Sequence, residues 1–211
     1  MTAESPAFEI QLKNQVKELV TLLLTRPITE EIALQVETYE GFEGLDIVDG
    51  EWVGLFEEKD EYAGGEEHGT IEFRLLLAIG NHVVKNQLGR VYPGDTDFVL
   101  QGDAQNLKLV RRPDVSFVSA KRVKKTQGFI YASPDIAVEI ISPTERPGPI
   151  LKKLSEYLTY NVKQVWHVYP AKQELIIYMP DGSNQTYKLG DTISGGDVLP
   201  GFSLKVSELF E

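Results

Sequence analysis

The chain contains no cysteine, which excludes thiol catalysis, disulfides and cysteine-held zinc or iron–sulfur centres. A metal ion here would need oxygen or imidazole ligands. Long apolar runs are missing too. Val20 to Leu24 is short and flanked by charge, and Met1 to Pro6 has no basic segment leading into an apolar one. The expectation is a soluble cytoplasmic protein with no membrane partner, in which the Asn184-Gln185-Thr186 sequon has no meaning. Absent as well are the Gly-x-Gly-x-x-Gly fingerprint, the P-loop lysine and the Gly-x-Ser-x-Gly elbow, so nucleotide binding and serine hydrolysis lose their usual signals. Gly94-Asp95-Thr96-Asp97 lacks the later ligands of a calcium loop. No repeat, low-complexity stretch or interdomain linker breaks the chain.

Positive charge is scarce: 21 Lys and Arg stand against 32 Asp and Glu, a net charge of −11. Such a balance repels a polyanion at long range and argues against a general nucleic-acid coating protein. Its distribution is uneven, however. Arg111, Arg112, Lys121, Arg122, Lys124 and Lys125 face only Asp114 in their stretch, a local basic patch suited to nucleic acid or, more plainly, a solvated loop. With 211 residues and 42% hydrophobic content, one medium domain with a real core is the default.

Helical spacing of Leu12, Val16, Leu19, Val20 and Leu23 predicts an amphipathic helix over Phe8 to Leu24. Thr29-Glu30-Glu31 suits the start of a second helix, ending by Tyr39-Glu40-Gly41. Val48-Asp49-Gly50-Glu51 is a two-residue hairpin signal. Glu57 to Gly65 reads as an acidic loop before a helix over about Glu67 to Asn86, whose Ile71, Leu75, Ile79 and Val83 mark a buried face. Strands are expected at Arg90 to Tyr92, Asp97 to Leu100, Leu107 to Val110, Asp114 to Val118 and Asp135 to Ile141, with Gly102-Asp103 turning the middle pair. A helix over about Ile150 to Tyr160 follows, then strands at Val165 to Val168, Glu174 to Tyr178 and Thr186 to Leu189. This order favours a mixed sheet flanked by helices.

Within Pro134 to Ser142, Glu139 is a lone carboxylate in an apolar run. Burying it ionised and unpaired costs several kcal/mol, roughly, so it needs a cation or a hydrogen-bond network. Alternation puts Asp135, Ala137, Glu139 and Ile141 on one strand face. If Asp114 opens the adjacent strand, the two carboxylates could share one hard divalent ion, Mg2+ or Mn2+, with positions left for water and a phosphate oxygen. A cation beside them would orient water and stabilise charge at phosphorus. Ile141 offers none, so the following helix must supply it. There Lys153 lies roughly 100° from the centre of the apolar stripe and Lys152 roughly 160°, so Lys153 can bend toward the sheet.

Arg112-Pro113-Asp114-Val115, Pro134-Asp135-Ile136-Ala137-Val138-Glu139-Ile140, Ser142-Pro143 and Lys153-Leu154-x-x-Tyr157 resemble the Uma-two family of candidate restriction endonucleases, in the PD-(D/E)xK nuclease superfamily. Asp49-Gly50-Glu51, Glu67-His68-Gly69, Trp166 and Leu199-Pro200-Gly201-Phe202 extend the resemblance over roughly Leu45 to Phe210. It implies a restriction-endonuclease-like α/β core over 45–211, a central mixed sheet flanked by helices, with residues 1–44 as an N-terminal helical extension packed on it. It also implies an Mg2+-dependent endonuclease acting on nucleic acid, DNA first, as a homodimer. Asp114 and Glu139 would bind metal, and the superfamily lysine would have moved to the helix at Lys153. Helix acids in the superfamily make Glu67 a candidate third ligand, and relatives often carry a histidine at the position of His68. The chain departs from many relatives at Pro149, where they have an acid, and at Tyr169-Pro170, where they have Asp-Pro.

Blander accounts stand beside these. Asp114 could be a strand-start aspartate after proline, Asp135 likewise, and Glu139 could form a buried structural salt bridge with Lys153. The alternatives are thus a catalytically degenerate homodimeric binding or structural protein of the same fold, or a metal-dependent phosphoesterase for small molecules, which suits the acidic charge better.

Overall fold

The computed structural model describes residues 6–39, 42, 45–53, 65–123 and 128–211, with side chains from residue 14 onward. The acidic loop expected before the long helix therefore lies outside the described residues, apart from Gly65. In chain order the elements are α1 (Pro6–Leu24), α2 (Glu30–Val36), β1 (Asp46–Val48), β2 (Glu51–Val53), α3 (Glu66–Asn86), β3 (Gly89–Pro93), β4 (Phe98–Asp103), β5 (Asn106–Arg111), β6 (Val115–Ser119), β7 (Ile136–Ile140), α4 (Pro147–Thr159), β8 (Gln164–Tyr169), a single 3₁₀ turn (Pro170–Lys172), β9 (Glu174–Tyr178), β10 (Asn184–Lys188), β11 (Thr192–Ser194), β12 (Ser203–Lys205) and α5 (Ser207–Phe210). The class is mixed α/β with a central mixed sheet flanked by helices. No described helix is long and apolar enough to cross a membrane.

Contacts divide the chain into two units, Met1–Phe56 with Gln101–Val110, and Glu57–Leu100 with Arg111–Glu211. In the first, Thr29 caps α2 by accepting from the Ile32 N–H, as its position before two acids predicts. Asp49 and Gly50 both take positive φ in the β1–β2 turn, the geometry an Asp-Gly pair favours. β1 pairs with β2 and β5 in a sheet ordered β2-β1-β5-β4. The face expected to be packed on α1 is only partly covered: Leu19 and Leu23 are half-buried, while Val16 and Val20 are exposed. The β4–β5 turn falls at Ala104-Gln105 rather than Gly102-Asp103, because Asp103 Oδ1 accepts from the N–H groups of both Gln105 and Asn106 and so makes the bend two residues later.

The second unit holds a six-stranded sheet ordered β10-β9-β8-β7-β6-β3. Only β7 and β8 pair in parallel, joined by the α4 crossover. Alternation then sorts two faces. Ile136, Val138 and Ile140 of β7 join Ile71, Leu75, Ile79 and Val83 of α3 in one core, with Trp166 and Val168. On the opposite face Ala137 and Val165 meet Leu154 and Tyr157 of α4. The strands β11 and β12 and the helix α5 were not expected; each is four residues or fewer, too short to carry a periodic signal.

Candidate active site

β6 and β7 are antiparallel with Val115 opposite Val138, so Asp114, one residue before β6, lies at the level of Glu139. Asp114 Oδ2 accepts from the Ile140 N–H at 2.6 Å, which ties the start of one strand to the end of the other. Its second oxygen, Oδ1, faces His68 Nε2 at 3.5 Å. His68 comes from the first turn of α3. Gly94 backs this corner: its N–H donates to Glu72 Oε1 at 3.3 Å, and a Cβ at Gly94 would stand 3.3 Å from Asp114 Cα.

From the other face, α4 delivers two partners to Glu139. The Tyr157 hydroxyl donates to Oε1 at 2.6 Å, and Lys153 Nζ donates to Oε2 at 3.2 Å. The side chains expected at the site thus lie on three elements: Asp114 and Glu139 at facing strand ends, and Lys153 on α4. Burial pushes the Glu139 carboxyl up to about 7; the charge of Lys153 opposes this, Asp114 adds to it, and Tyr157 opposes it. His68 is raised by its hydrogen bond to Asp114, against the opposing effect of burial.

Other expected residues stand elsewhere. Glu67, the candidate third ligand, is exposed and lines a shallow recess with Glu66, Thr70, Arg74 and Phe210. One residue further along a helix turns the side chain by about 100°, which is why His68 and not Glu67 faces Asp114. Among the described residues, no three His, Asp or Glu side chains gather as a metal cluster. Arg111 is buried and bonds Glu156 at 2.6 Å, Arg112 pairs with Asp97 at 2.6 Å, and Arg122 pairs with Asp135 at 2.9 Å. Lys121 is exposed; Lys124 and Lys125 lie outside the described residues.

His167, which the sequence reading passed over, is the Cα partner of Glu139 across β7 and β8. It is buried, its Nδ1 stands 3.4 Å from the Tyr169 hydroxyl, and its Nε2 has no hydrogen-bond partner among the described residues. Burial, helped by Lys153, lowers its pKa to about 4, so the ring is neutral at neutral pH. The available signal was the alternation Val165, His167, Tyr169 on a strand parallel to β7.

Mg2+ or Mn2+ suits these residues. Two carboxylates at the same level are hard oxygen donors, and the repulsion by which Asp114 raises Glu139 is the charge a divalent cation would neutralise. One or two protein carboxylates with water and phosphate oxygens make up a usual magnesium shell.

A family model described as "Putative restriction endonuclease", Uma2, matches residues 60–207. The chain belongs to the Uma2 family. Asp114, Glu139 and Lys153 all fall inside the match, as does the whole of α3. A similar solved structure is the crystal structure of "a putative nuclease belonging to DUF820" from Anabaena variabilis ATCC 29413. It is 18% identical, with a TM-score of 0.69, over 87% of this chain and 98% of that one. At that identity the likeness shows this Uma2-family chain to share its fold. No curated protein matches.

Proposed function

We propose that the protein is a metal-dependent endonuclease that hydrolyses phosphodiester bonds, with DNA as its substrate. Membership of the Uma2 family and the fold shared with "a putative nuclease" support the coarser part of this reading, a nuclease. The observation that carries the finer part is the meeting of Asp114, Glu139 and Lys153 at one end of the β6–β7 pair.

In this reading Asp114 and Glu139 hold Mg2+ or Mn2+. The chemistry such an ion supplies when bound is Lewis-acid polarisation of a phosphoryl oxygen and a lowered pKa for water. Asp114 is pre-oriented, since its backbone hydrogen bond to Ile140 and its contact with His68 restrict its rotation. Tyr157 does the same for Glu139. Lys153 sits where its ammonium can hold an attacking water by hydrogen bonding and offset charge growing on the phosphate oxygens. His167, neutral and buried, adds no second positive charge beside Lys153. The strands carrying the pair, β6 and β7, are almost wholly buried, which lowers the local dielectric and strengthens each of these interactions.

One observation favours a second reading. Both oxygens of Glu139 already have partners, Tyr157 and Lys153, as in a structural ion pair of a catalytically degenerate binding protein. The two readings separate experimentally. The nuclease reading expects cleavage of plasmid DNA with Mg2+ or Mn2+, loss of about 10²-fold or more in Lys153→Ala, and calorimetric metal binding that Asp114→Asn and Glu139→Gln abolish. Parallel assays on single-stranded DNA, RNA and a small phosphodiester fix the substrate class. Wild-type protein that binds neither ion, or cleavage that survives Glu139→Gln, would overturn the proposal.

A further inference from the structure

The helix α3 carries two apolar stripes. Ile71, Leu75, Ile79 and Val83 bury one against the sheet. On the other, Phe73, Leu77 and Val84 are 63%, 50% and 77% exposed. At about 100° per residue the mean direction of the second stripe is opposite the first. Scattered exposed apolar residues need no explanation, but these are not scattered. From Thr70 through Phe73, Leu77 and Gly80 to Val84 the steps alternate between three and four residues, the spacing of a helix-pairing seam.

Gly80 supplies an independent observation. Glycine weakens a helix interior relative to alanine, and a Cβ placed at Gly80 would meet nothing within 4 Å. Nothing among the described residues therefore requires a glycine there. Close approach of an external backbone or a bulky side chain would.

We propose that α3 pairs with α3 of a second copy of this chain, antiparallel, about a two-fold axis near residues 76 and 77. In this arrangement the stripe is complementary to itself. Phe73 covers the partner's Gly80, where the missing side chain leaves room for the ring. Thr70 adjoins the partner's Val84, and Leu77 lies beside its counterpart close to the axis. Glu67 and Lys85, which share one flank of the stripe, meet crosswise, acid to base on both sides. Parallel pairing would set Glu66 and Glu67 against their own counterparts, like against like. A two-fold axis makes the contact closed, so it yields dimers rather than chains of molecules.

One helix face is smaller than a standard interface, so an affinity on the order of 10 µM is expected. Sedimentation equilibrium of the full chain between about 1 and 200 µM tests the pairing. The wild type is expected to rise with concentration from the 23.6 kDa of one chain toward twice that mass. Leu77→Glu should hold it at one chain throughout, with circular dichroism unchanged because the site is on the surface. Gly80→Ala should melt at a higher temperature yet dimerise at least threefold more weakly, a combination that a merely structural glycine would not give. Lys85→Glu should weaken the dimer, and the double exchange Glu67→Lys with Lys85→Glu should restore it. A wild type that stays monomeric, a Leu77→Glu dimer of wild-type strength, or a double exchange no better than Lys85→Glu alone would overturn the proposal.

Discussion

Two buried carboxylates of opposite character stand near the two ends of β7. Asp135, just before it, accepts from the Ser119 N–H at 2.7 Å, from Arg122 at 2.9 Å and from Lys163 at 2.7 Å. Burial pushes its carboxyl up, but Lys163, Ser119 and Arg122 outweigh that and hold it at about 2. Glu139, four residues on and on the same face, has one lysine, one hydroxyl and a second acid nearby, and stands at about 7. Both acids are buried and both touch a lysine. What separates them is whether the available donors compensate the lost hydration: Asp135 is saturated, while Glu139 is under-compensated, which in the proposed function lets it take a further cation.

The sharpest way to break that contrast is to neutralise each acid in turn. Glu139→Gln should lose about 10³-fold or more in cleavage rate while its melting temperature holds or rises, because a poorly compensated charge has been removed. Asp135→Asn should leave two cationic partners unbalanced and destabilise by about 2 kcal/mol, a value that follows from its depressed pKa. Urea unfolding of both variants checks the stabilities. Equal destabilisation by the two substitutions would erase the distinction between the ends of β7.

How far the sequence foretold this is a matter of range. The period-two alternation of β7 puts Glu139 on a defined face, the wheel of α4 turns Lys153 toward it, and Arg112-Pro113-Asp114 marks a strand start; each is a local pattern, and each placed its residue beside the others. Contacts across the fold leave no such trace. Arg111, Arg112 and Arg122 look like a basic patch in the chain, yet Glu156, Asp97 and Asp135 hold them, partners lying 13 to 45 residues away. His68 meets Asp114 because α3 packs on the sheet, and His167 stands beside Glu139 because the register of β7 and β8 pairs them. β11 and β12 escaped notice because three residues cannot show a period.

The two acids should also answer pH in opposite senses. Asp135 binds its proton less tightly folded than unfolded, so its stabilisation is present above about 3.8 and fades as pH falls toward about 2. Glu139 binds its proton more tightly folded, so stability is greatest below about 4.5 and declines as pH rises toward about 7. Wild type minus Glu139→Gln, measured by urea unfolding at pH 5 and pH 8, isolates the second effect and should fall with rising pH. Magnesium needs the ionised form, so its calorimetric affinity should weaken by up to about tenfold for each pH unit below 7. A flat profile would place Glu139 in the same class as Asp135.

The finest distinction between the two ends rests on Tyr157. Its hydroxyl donates to Glu139 Oε1, a bond that favours the ionised carboxylate and so holds down a pKa that burial drives up. Tyr157→Phe removes the donor and keeps the ring that packs against Ala137 and Val165. A hydrogen bond to a charged group is worth about 1.5 kcal/mol or somewhat more, so the midpoint for magnesium binding should move up by about one pH unit. At pH 7 the affinity should drop by roughly threefold to tenfold, whereas above pH 9 the variant and the wild type should converge, since both carboxylates are then ionised. Loss of affinity at every pH would instead mean that Tyr157 positions Glu139 rather than tuning its charge. An unchanged midpoint would mean that burial, Lys153 and Asp114 set the ionisation of this acid without Tyr157.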